Sequence, residues 1–468
     1  MAFVSAERDS GLIAARIDRL PRSALHRRLL LFFVLPMFFE SCDINTFPSA
    51  APALMHDWGM TIQQIAFITS ATFFGMFLGA MLGGVVSDRV GRRWSLLAYV
   101  LIASVGSLAN AVAPGPEFMF AARIVTGIGI AAGAVTAMTY IAELFPAASR
   151  GSSMSWVMAV NLCAIPVTNL VARLVVPYGP ESWRWIFVWG SLGLLFLLVV
   201  PRMPESPRWL ERVGRHAEAD AIVRRMEEAV AAEHGALPPL TTLARLAEAR
   251  EPWTAMFAPL YRRRTLMLCA IWLLQTVGFY GFLSWVPTLL VQHGVTLTSS
   301  LTYFALMNVG APLGALLSVA LTDRFERKHA LAAVASVIAV CGLFYGLSFE
   351  GPLIVGFGFM VGMLAQTFAS LLYAYTPEQF PTGLRNSATG LTYGAGRLAN
   401  VVNAFVIAGI YQNFGYITVF AYIGGAWLLT AVITLAFGPR TTGRSLEILN
   451  PPPEDVVEAG LARPLLTE

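Results

Sequence analysis

Apolar residues run along this chain in blocks near the length that crosses a bilayer, about 20 residues for a helix, and polar residues gather between them. Twelve blocks are read, at about 29–55, 62–86, 94–113, 117–142, 152–176, 184–201, 265–290, 297–320, 330–349, 352–376, 386–412 and 416–437. The pattern predicts an all-α membrane protein of twelve transmembrane helices. They form two six-helix bundles, 29–201 and 265–437, joined by a polar linker at 202–264 that carries short amphipathic helices. Tails at 1–28 and 438–468 flank the bundles, and the second contains Pro451, Pro452 and Pro453.

The polar punctuation repeats. What stands at Asp88-Arg89 and Arg92-Arg93 returns 235 residues later at Asp323-Arg324 and Arg327-Lys328. The same offset carries Glu143 to Glu378, Phe145-Pro146 to Phe380-Pro381, Arg150 to Arg385 and Pro204 to Pro439. One shift that holds across so many points means one unit written twice, the internal repeat of a secondary transporter.

Composition sharpens this reading. Hydrophobic residues make up 56% of the 468 and charged residues 13%, against about 25% charged in soluble domains. Of the 32 Arg and Lys residues, only Arg123, Arg173, Arg184 and Arg397 fall outside the tails and loops of one side. That side, which includes both termini, is expected to be cytoplasmic. The net charge of +4 is then a topology signal, and no nucleic-acid partner is expected. Residues 1–28 are polar and basic, so no cleavable signal peptide is expected. Cys42, Cys163, Cys269 and Cys341 stand singly in four different helices, without CxxC or His/Cys spacing. Neither a metal site nor a disulfide follows. No nucleophile–base or cofactor motif appears, so the chain is not expected to be an enzyme or to hold a cofactor.

The segment Gly84-x3-Asp88-Arg89-x-Gly91-Arg92-Arg93 between blocks 2 and 3 resembles the signature loop of the major facilitator superfamily. Such a loop acts as a charge clamp, pairing with helix ends when that side of the carrier shuts. The second copy has Val319 and Glu326 in place of the two glycines, so the clamp is expected to be asymmetric. Arg123-x3-Gly127-x-Gly129, the run from Tyr140 to Gly151 that includes Glu143, Pro146 and Arg150, and Pro204-Glu205-Ser206-Pro207-Arg208 are similar to motifs of the sugar-porter-like branch. The closing motif of that branch is approached from Pro439 to Glu447, with Arg440 where an acid is usual. Before block 1, Arg19-Leu20-Pro21-x-Ser23-x2-His26 resembles bacterial niacin and aromatic-acid proton symporters of this branch. The resemblance implies rocking-bundle alternating access. It also makes Asp88, Arg89, Arg92, Arg93, Asp323, Arg324 and Arg327 gating residues. Glu143 beside Arg150 and Glu378 beside Arg385 read as gating pairs at helix ends.

A charge inside the bilayer is costly, so each one is a functional candidate. Two acids lie well inside a block, Glu40 and Asp43 of block 1; three residues apart on a helix, they share a face. Arg123 in block 4 lies at a depth that matches Asp43. In proton-coupled sugar porters an acid of span 1 and an Arg of span 4 form a pair that opens on protonation, and Asp43 and Arg123 match both positions. A static salt bridge between the two helices is the plain structural reading. Arg397 in block 11 is twelve residues beyond Arg385, hence near the midplane at about 1.5 Å per residue. It requires a carboxylate partner, either Glu40 or the substrate.

Sugar porters present Gln-Trp where this chain has Gly396-Arg397, with Asn400 retained, and related organic-anion carriers tend to carry Arg there. In block 7 the sugar-porter pattern Gln-Gln-x-x-Gly-x-Asn becomes Leu274-Gln275-x-x-Gly278-x-Tyr280. Tyr373 stands where block 10 usually offers Trp, and Trp285 adds a further aromatic group. An aromatic-lined pocket with one central guanidinium suits a small flat carboxylate better than a polyol. Gln275, Tyr280, Trp285, Tyr373, Arg397 and Asn400 are therefore the candidate substrate-binding residues. Asn161, Asn308, Gln366 and Asn403 are read first as interhelical hydrogen-bonding groups.

The sequence thus points to a monomeric, proton-coupled importer of a small organic acid in a bacterial inner membrane. Asp43, with Glu40 assisting, takes the proton, and Arg123 is the switch partner. Its partners are the substrate, protons and the lipid bilayer. A sugar or polyol porter, an efflux carrier and a non-transporting membrane sensor on the same fold are the competing readings.

Overall fold

The computed structural model describes residues 12–240 and 253–441. Asp323 and Arg385 fall outside the described side chains, and the closing motif beyond Thr441, with Pro451 to Pro453, falls outside the described residues. Among the described residues, eleven helices are long and apolar enough to cross a membrane. The twelfth, Thr382–Phe414, has 33 residues, ample length to cross, but its apolar run is broken by Arg397, Asn400 and Asn403. The twelve-helix expectation holds.

Spans 1 to 6 are Ala24–Asp57, Ile62–Val90, Arg92–Ala111, Pro116–Leu144, Ala147–Val175 and Arg184–Arg202. Span 6 tightens into 3₁₀ geometry from Leu192 to Leu198. Spans 7 and 8 are each broken, as Pro259–Leu283 with Val286–Gln292 and as Leu297–Asn308 with Gly310–Arg324. Proline explains both breaks. Pro287 and Pro312 carry no N–H for the carbonyls of Leu283 and Asn308, four residues earlier, where the first segments end. Spans 9 to 12 are Arg327–Leu347, Gly351–Glu378, Thr382–Phe414 and Tyr416–Phe437.

The repeat read from the sequence is present in the packing. A side chain added at Gly75 or Gly79 would collide with the carbonyls of Ile124 or Ile128, so spans 2 and 4 touch backbone to backbone there. Gly310 and Gly314 meet the carbonyls of Phe359 and Met363 in the same way, each residue displaced by the same 235 positions. Small residues permit this close approach of helices in a bilayer. Likewise the Tyr140 hydroxyl donates to the Pro204 carbonyl and the Tyr375 hydroxyl to that of Pro439.

The repeat fails at one instructive point. Gly91 turns the chain between spans 2 and 3 at φ 103°, a conformation glycine adopts freely. The Glu205 carboxylate then accepts the N–H groups of Arg92 and Arg93 at 2.9 and 3.1 Å, capping span 3. Burial pushes the Glu205 carboxyl up, although these backbone bonds pull it down. In the second half the equivalent positions hold Glu326 and Arg440. Here the loop supplies the carboxylate, and Glu326 accepts the N–H of Thr441 at 3.0 Å. The acid has changed sides of the contact, which accounts for Arg440 standing where an acid is usual.

Both described chain ends lie on one face, here the tail face. The linker forms helices Pro207–Arg212 and His216–His234, docked on the first half. Arg16, in the helix Leu12–Asp18, pairs with Asp220 at 2.5 Å and Glu227 at 2.7 Å. Although burial opposes its charge, Arg16 and Arg19 hold the Glu227 carboxyl below its ordinary value. Glu233 accepts the N–H of Ala24 at 2.6 Å, capping span 1.

The two halves join on the opposite face. Gln63 bonds Gln412 at 2.9 Å, Arg173 bonds Thr302 at 2.6 Å and Ser70 bonds the Val401 carbonyl at 2.7 Å. One continuous apolar core, containing Phe47, Ile65 and Phe187 of the first half and Trp285, Phe304 and Ile407 of the second, fills this region. The tail-face part of the first half has its own core, including Phe33, Tyr140 and Phe196.

Candidate functional site

The structure brings Asp43 and Arg123 together. Arg123 Nη1 stands 3.6 Å from Asp43 Oδ1, with 1% and 3% of the two side chains exposed. The same Oδ1 accepts from Ser107 at 2.9 Å and Thr46 at 3.2 Å, while Oδ2 is buried without a partner. Arg123 donates to Thr72 Oγ1 at 2.9 Å and lies 5.6 Å from the centre of the Phe47 ring. The ion pair is thus a loose one, longer than a direct charge-assisted bond of about 2.7–2.9 Å, and one carboxylate oxygen remains unused.

Gly190 of span 6 makes room for it. A Cβ there would lie 2.9 Å from both Asp43 Oδ1 and Ser107 Oγ. Gly190→Ala is expected to push the carboxylate off Ser107 and to cost about 1–3 kcal/mol, the usual toll of overpacking. Thermal unfolding in detergent reads the loss, and Gly179→Ala, which meets only Ser182 Oγ at 3.8 Å, is the control.

Glu40 lies on the same face of span 1, as its spacing requires. With Asp43, Ser104, Gly190 and Gly193 it bounds a void of about 20 Å³, room for roughly one water. Among the described residues no ion pair joins Glu40 to Arg397.

Arg397 is surrounded by phenols instead. Its Nη1 donates to the Tyr280 hydroxyl at 2.9 Å and its Nε to the Tyr393 hydroxyl at 3.0 Å. The guanidinium also lies 4.9 Å from the Tyr393 ring centre and 5.5 Å from that of Tyr280. Around this pair, Trp272 packs edge-on to Tyr373 at 4.9 Å and to Tyr393 at 5.3 Å. Phe73 of the first half meets Tyr280 at 4.9 Å. Span 7 places Tyr280 and span 11 places Tyr393, one helical turn away, so phenol oxygens take the hydrogen bonds of Arg397, while Glu40 acts on its charge without a direct bond. A phenol oxygen that accepts from arginine keeps its own O–H to donate. The cluster therefore offers one cation and two hydroxyl donors at a single spot.

The remaining candidates are dispersed. Tyr373 is half exposed at the edge of the cluster. Gln275 is buried and its Oε1 accepts from Thr276 at 3.3 Å. Asn400 is buried with both amide atoms unpartnered. Trp285 packs in the core at the break of span 7. Asn403 makes the expected interhelical bonds, donating to the Val277 carbonyl at 3.2 Å and accepting from Tyr422 at 3.1 Å. Asn308 turns back on its own helix, to the Phe304 carbonyl at 2.9 Å. Tyr393, Trp272 and Phe73 went unread in the sequence. The spacing of Tyr393, four residues before Arg397, is a signal that could have found it.

On the tail face Glu143 takes a different partner from the one expected, and Arg385, the expected partner of Glu378, lies outside the described side chains. Glu143 pairs with Arg92 through two bonds of 2.8 and 2.9 Å and accepts from Ser206 at 2.5 Å. Arg150 reaches Asp18 at 3.5 Å. Glu378 pairs with Arg327, the same contact one repeat later. The reason is geometric: the start of span 3 lies against the end of span 4, whereas Arg150 turns outward toward the N-terminal helix. Asp88 pairs with Arg92 at 2.8 Å and with Arg212 of the linker at 2.7 Å. Arg93 stacks on Trp94 at 5.0 Å, and Arg89 and Arg324 are exposed.

The model of a family described as sugar (and other) transporters matches residues 46–451. A Bacillus subtilis (strain 168) protein described as a metabolite transport protein is 43% identical, covering 92% of this chain and 96% of its own. The niacin transporter of Acinetobacter baylyi is 28% identical over 93% of this chain and 99% of its own. Among solved structures, the xylose transporter of Escherichia coli in a partially occluded inward-open conformation aligns with a TM-score of 0.73 at 20% identity, over 90% of this chain and 100% of its own.

Proposed function

Because the chain belongs to the sugar (and other) transporter family of the major facilitator superfamily, an integral membrane carrier of metabolites and not an enzyme, we propose that it imports a small aromatic carboxylate together with a proton. The observation that carries this reading is the Arg397 cluster. The Arg397 guanidinium, within a membrane span, gives its hydrogen bonds to the phenols of Tyr280 and Tyr393 and has Glu40 close enough to act on its charge without an ion pair, which leaves its fork available to an anion. The flanking rings of Trp272, Tyr280 and Tyr393 suit a flat ring joined to that anion. A niacin transporter among the relatives supports a substrate of this size and shape. Nicotinate and benzoate-like acids are the proposed class.

Asp43 is the proposed proton site, with Glu40 across the shared void. Protonation of Asp43 removes the attraction that ties span 1 to Arg123 of span 4. One proton moving with one monoanion transfers no net charge. We further propose that the tail face is cytoplasmic and that the carrier acts as a monomer. The described state is then closed on the outer face, the arrangement that follows delivery of substrate to the inside.

Binding tests the substrate class directly. Titrations of the purified protein with nicotinate and nicotinamide, followed by intrinsic fluorescence, are expected to favour the acid by about tenfold or more, since hydrogen bonds to charged groups contribute roughly 1.5–3 kcal/mol. Equal affinity for the neutral amide would remove the anion from the proposal.

A further inference from the structure

A cleft of about 590 Å³ opens where the first half meets the linker on the tail face, a volume in the range of ligand sites. Its walls come from the first two turns of span 1, the loop between spans 2 and 3, the end of span 6 and the linker helix His216–His234. Five arginines line it, among them Arg28, Arg93, Arg202 and Arg225, against two acids, Glu205 and Glu218.

The acids are occupied elsewhere. Glu218 holds Arg215, the fifth arginine, through two bonds of 2.6 and 2.7 Å. Glu205 accepts the backbone N–H groups of Arg92, Arg93 and Ser206. Arg28, Arg93, Arg202 and Arg225 make no ion pair among the described residues. Arg93 keeps a buried Nε without a partner. Four arginines without ion pairs thus face one cleft beside a single carboxylate, Glu205, a net positive surface that suits an anionic group with several acceptor oxygens.

The rest of the wall is apolar. Leu25, Leu29, Phe32 and Trp94 line the same cleft. Beside them Leu31, Trp94 and Leu198 are 66%, 53% and 67% exposed on helix ends that enter the bilayer. A free phosphate has no use for that surface; a phosphate that carries acyl chains has. Basic pockets at the end of transmembrane helices are suited to lipid headgroups, and each arginine near the membrane surface contributes about 1 kcal/mol toward an anionic lipid.

We propose that this cleft binds the phosphate headgroup of an anionic phospholipid from the tail-face leaflet, with its acyl chains lying over Leu31, Trp94 and Leu198. The lipid bridges span 1 to the linker helix through Arg28 and Arg225, and touches the span 2–3 loop through Arg93. Substrate plays no part, so the site stands whatever the carrier transports.

The test uses the purified full-length chain in neutral detergent, with phosphatidylglycerol, phosphatidylcholine of the same chains and glycerol phosphate as probes. Retained lipid is counted by native mass spectrometry. Phosphatidylglycerol is expected to bind and phosphatidylcholine to bind far more weakly. Arg28→Gln with Arg225→Gln should weaken phosphatidylglycerol about 25-fold, roughly fivefold for each charge removed. Both side chains are exposed, so the fold should survive. Arg262→Gln with Arg263→Gln, exposed arginines at the start of span 7, should leave binding unchanged. Equal loss in both double variants, or equal retention of phosphatidylcholine, would overturn the site. Glycerol phosphate competing as well as the intact lipid would assign the cleft to a soluble phosphate and overturn the lipid.

Discussion

Replacing Arg397 with alanine is expected to lower the affinity for an aromatic carboxylate by at least about 30-fold. Truncating one member of a buried, hydrogen-bonded charge pair costs roughly 2–5 kcal/mol, and each 1.4 kcal/mol is about tenfold. Transport at low substrate concentration should fall with it. The two phenols refine the expectation. Arg397→Lys keeps the charge but loses the planar fork that contacts Tyr280 and Tyr393 together, so it should recover only part of the affinity. Tyr280→Phe removes one hydroxyl and leaves the cation; a loss of about tenfold is expected, within the usual worth of a hydrogen bond to a charged group. Equilibrium binding of a labelled acid ranks the three variants. If Arg397→Ala binds as the parent does, the phenol-held guanidinium is a structural strut and the substrate sits elsewhere.

The second large effect is expected at Asp43. Asn is nearly isosteric, keeps an oxygen for Ser107 and Thr46, and cannot take or release the proton. Asp43→Asn should abolish accumulation driven by a proton gradient while substrate exchange between two filled compartments continues, since exchange requires no net proton movement. Removing one member of a buried pair also costs about 3–5 kcal/mol of stability. A partial offset is expected, because Arg123 keeps its bond to Thr72 and its position over the Phe47 ring. A static salt bridge predicts a different outcome, with exchange and accumulation lost in equal measure as the bundle loosens. Measuring both in the same vesicles separates the two.

Much of this architecture is legible from the residues because a bilayer admits few solutions. Backbone groups must be satisfied within each segment, so long apolar blocks become helices, and a single 235-residue offset already pairs one half with the other. The offset even marks contacts that only the structure displays, such as Arg92 with Glu143 and Arg327 with Glu378. Partner choice at the tail face is less legible. Arg150 is closer in sequence to Glu143, but helix packing brings Arg92 to it. The breaks in spans 7 and 8 were not read, because the apolar blocks 265–290 and 297–320 run on through them, and they emerge only from the carbonyls that Pro287 and Pro312 deprive.

The functional cluster divides in the same way. Asp43 and Arg123 could be matched by depth, since straight helices convert residue counts into height. Around Arg397, Tyr280 and Tyr373 were placed through the register of the family motifs, whereas Trp272 and Phe73 of the other half, which carry no motif, were not. Tyr393 went unread too, although it lies one turn away on the same helix. The relation of Glu40 to Arg397 also depended on lateral packing. Their similar depth suggested a pair; the structure keeps Glu40 within electrostatic reach of Arg397 without an ion pair and also lines with it the void beside Asp43.

Proteoliposomes loaded at neutral pH and diluted into acidic buffer with labelled nicotinate test the central claim most directly. The account predicts uptake above equilibrium that collapses when the proton gradient is dissipated and is absent from the Asp43→Asn and Arg397→Ala proteins. Accumulation of labelled xylose but of no carboxylate, or carboxylate uptake indifferent to the gradient and to both substitutions, would contradict it.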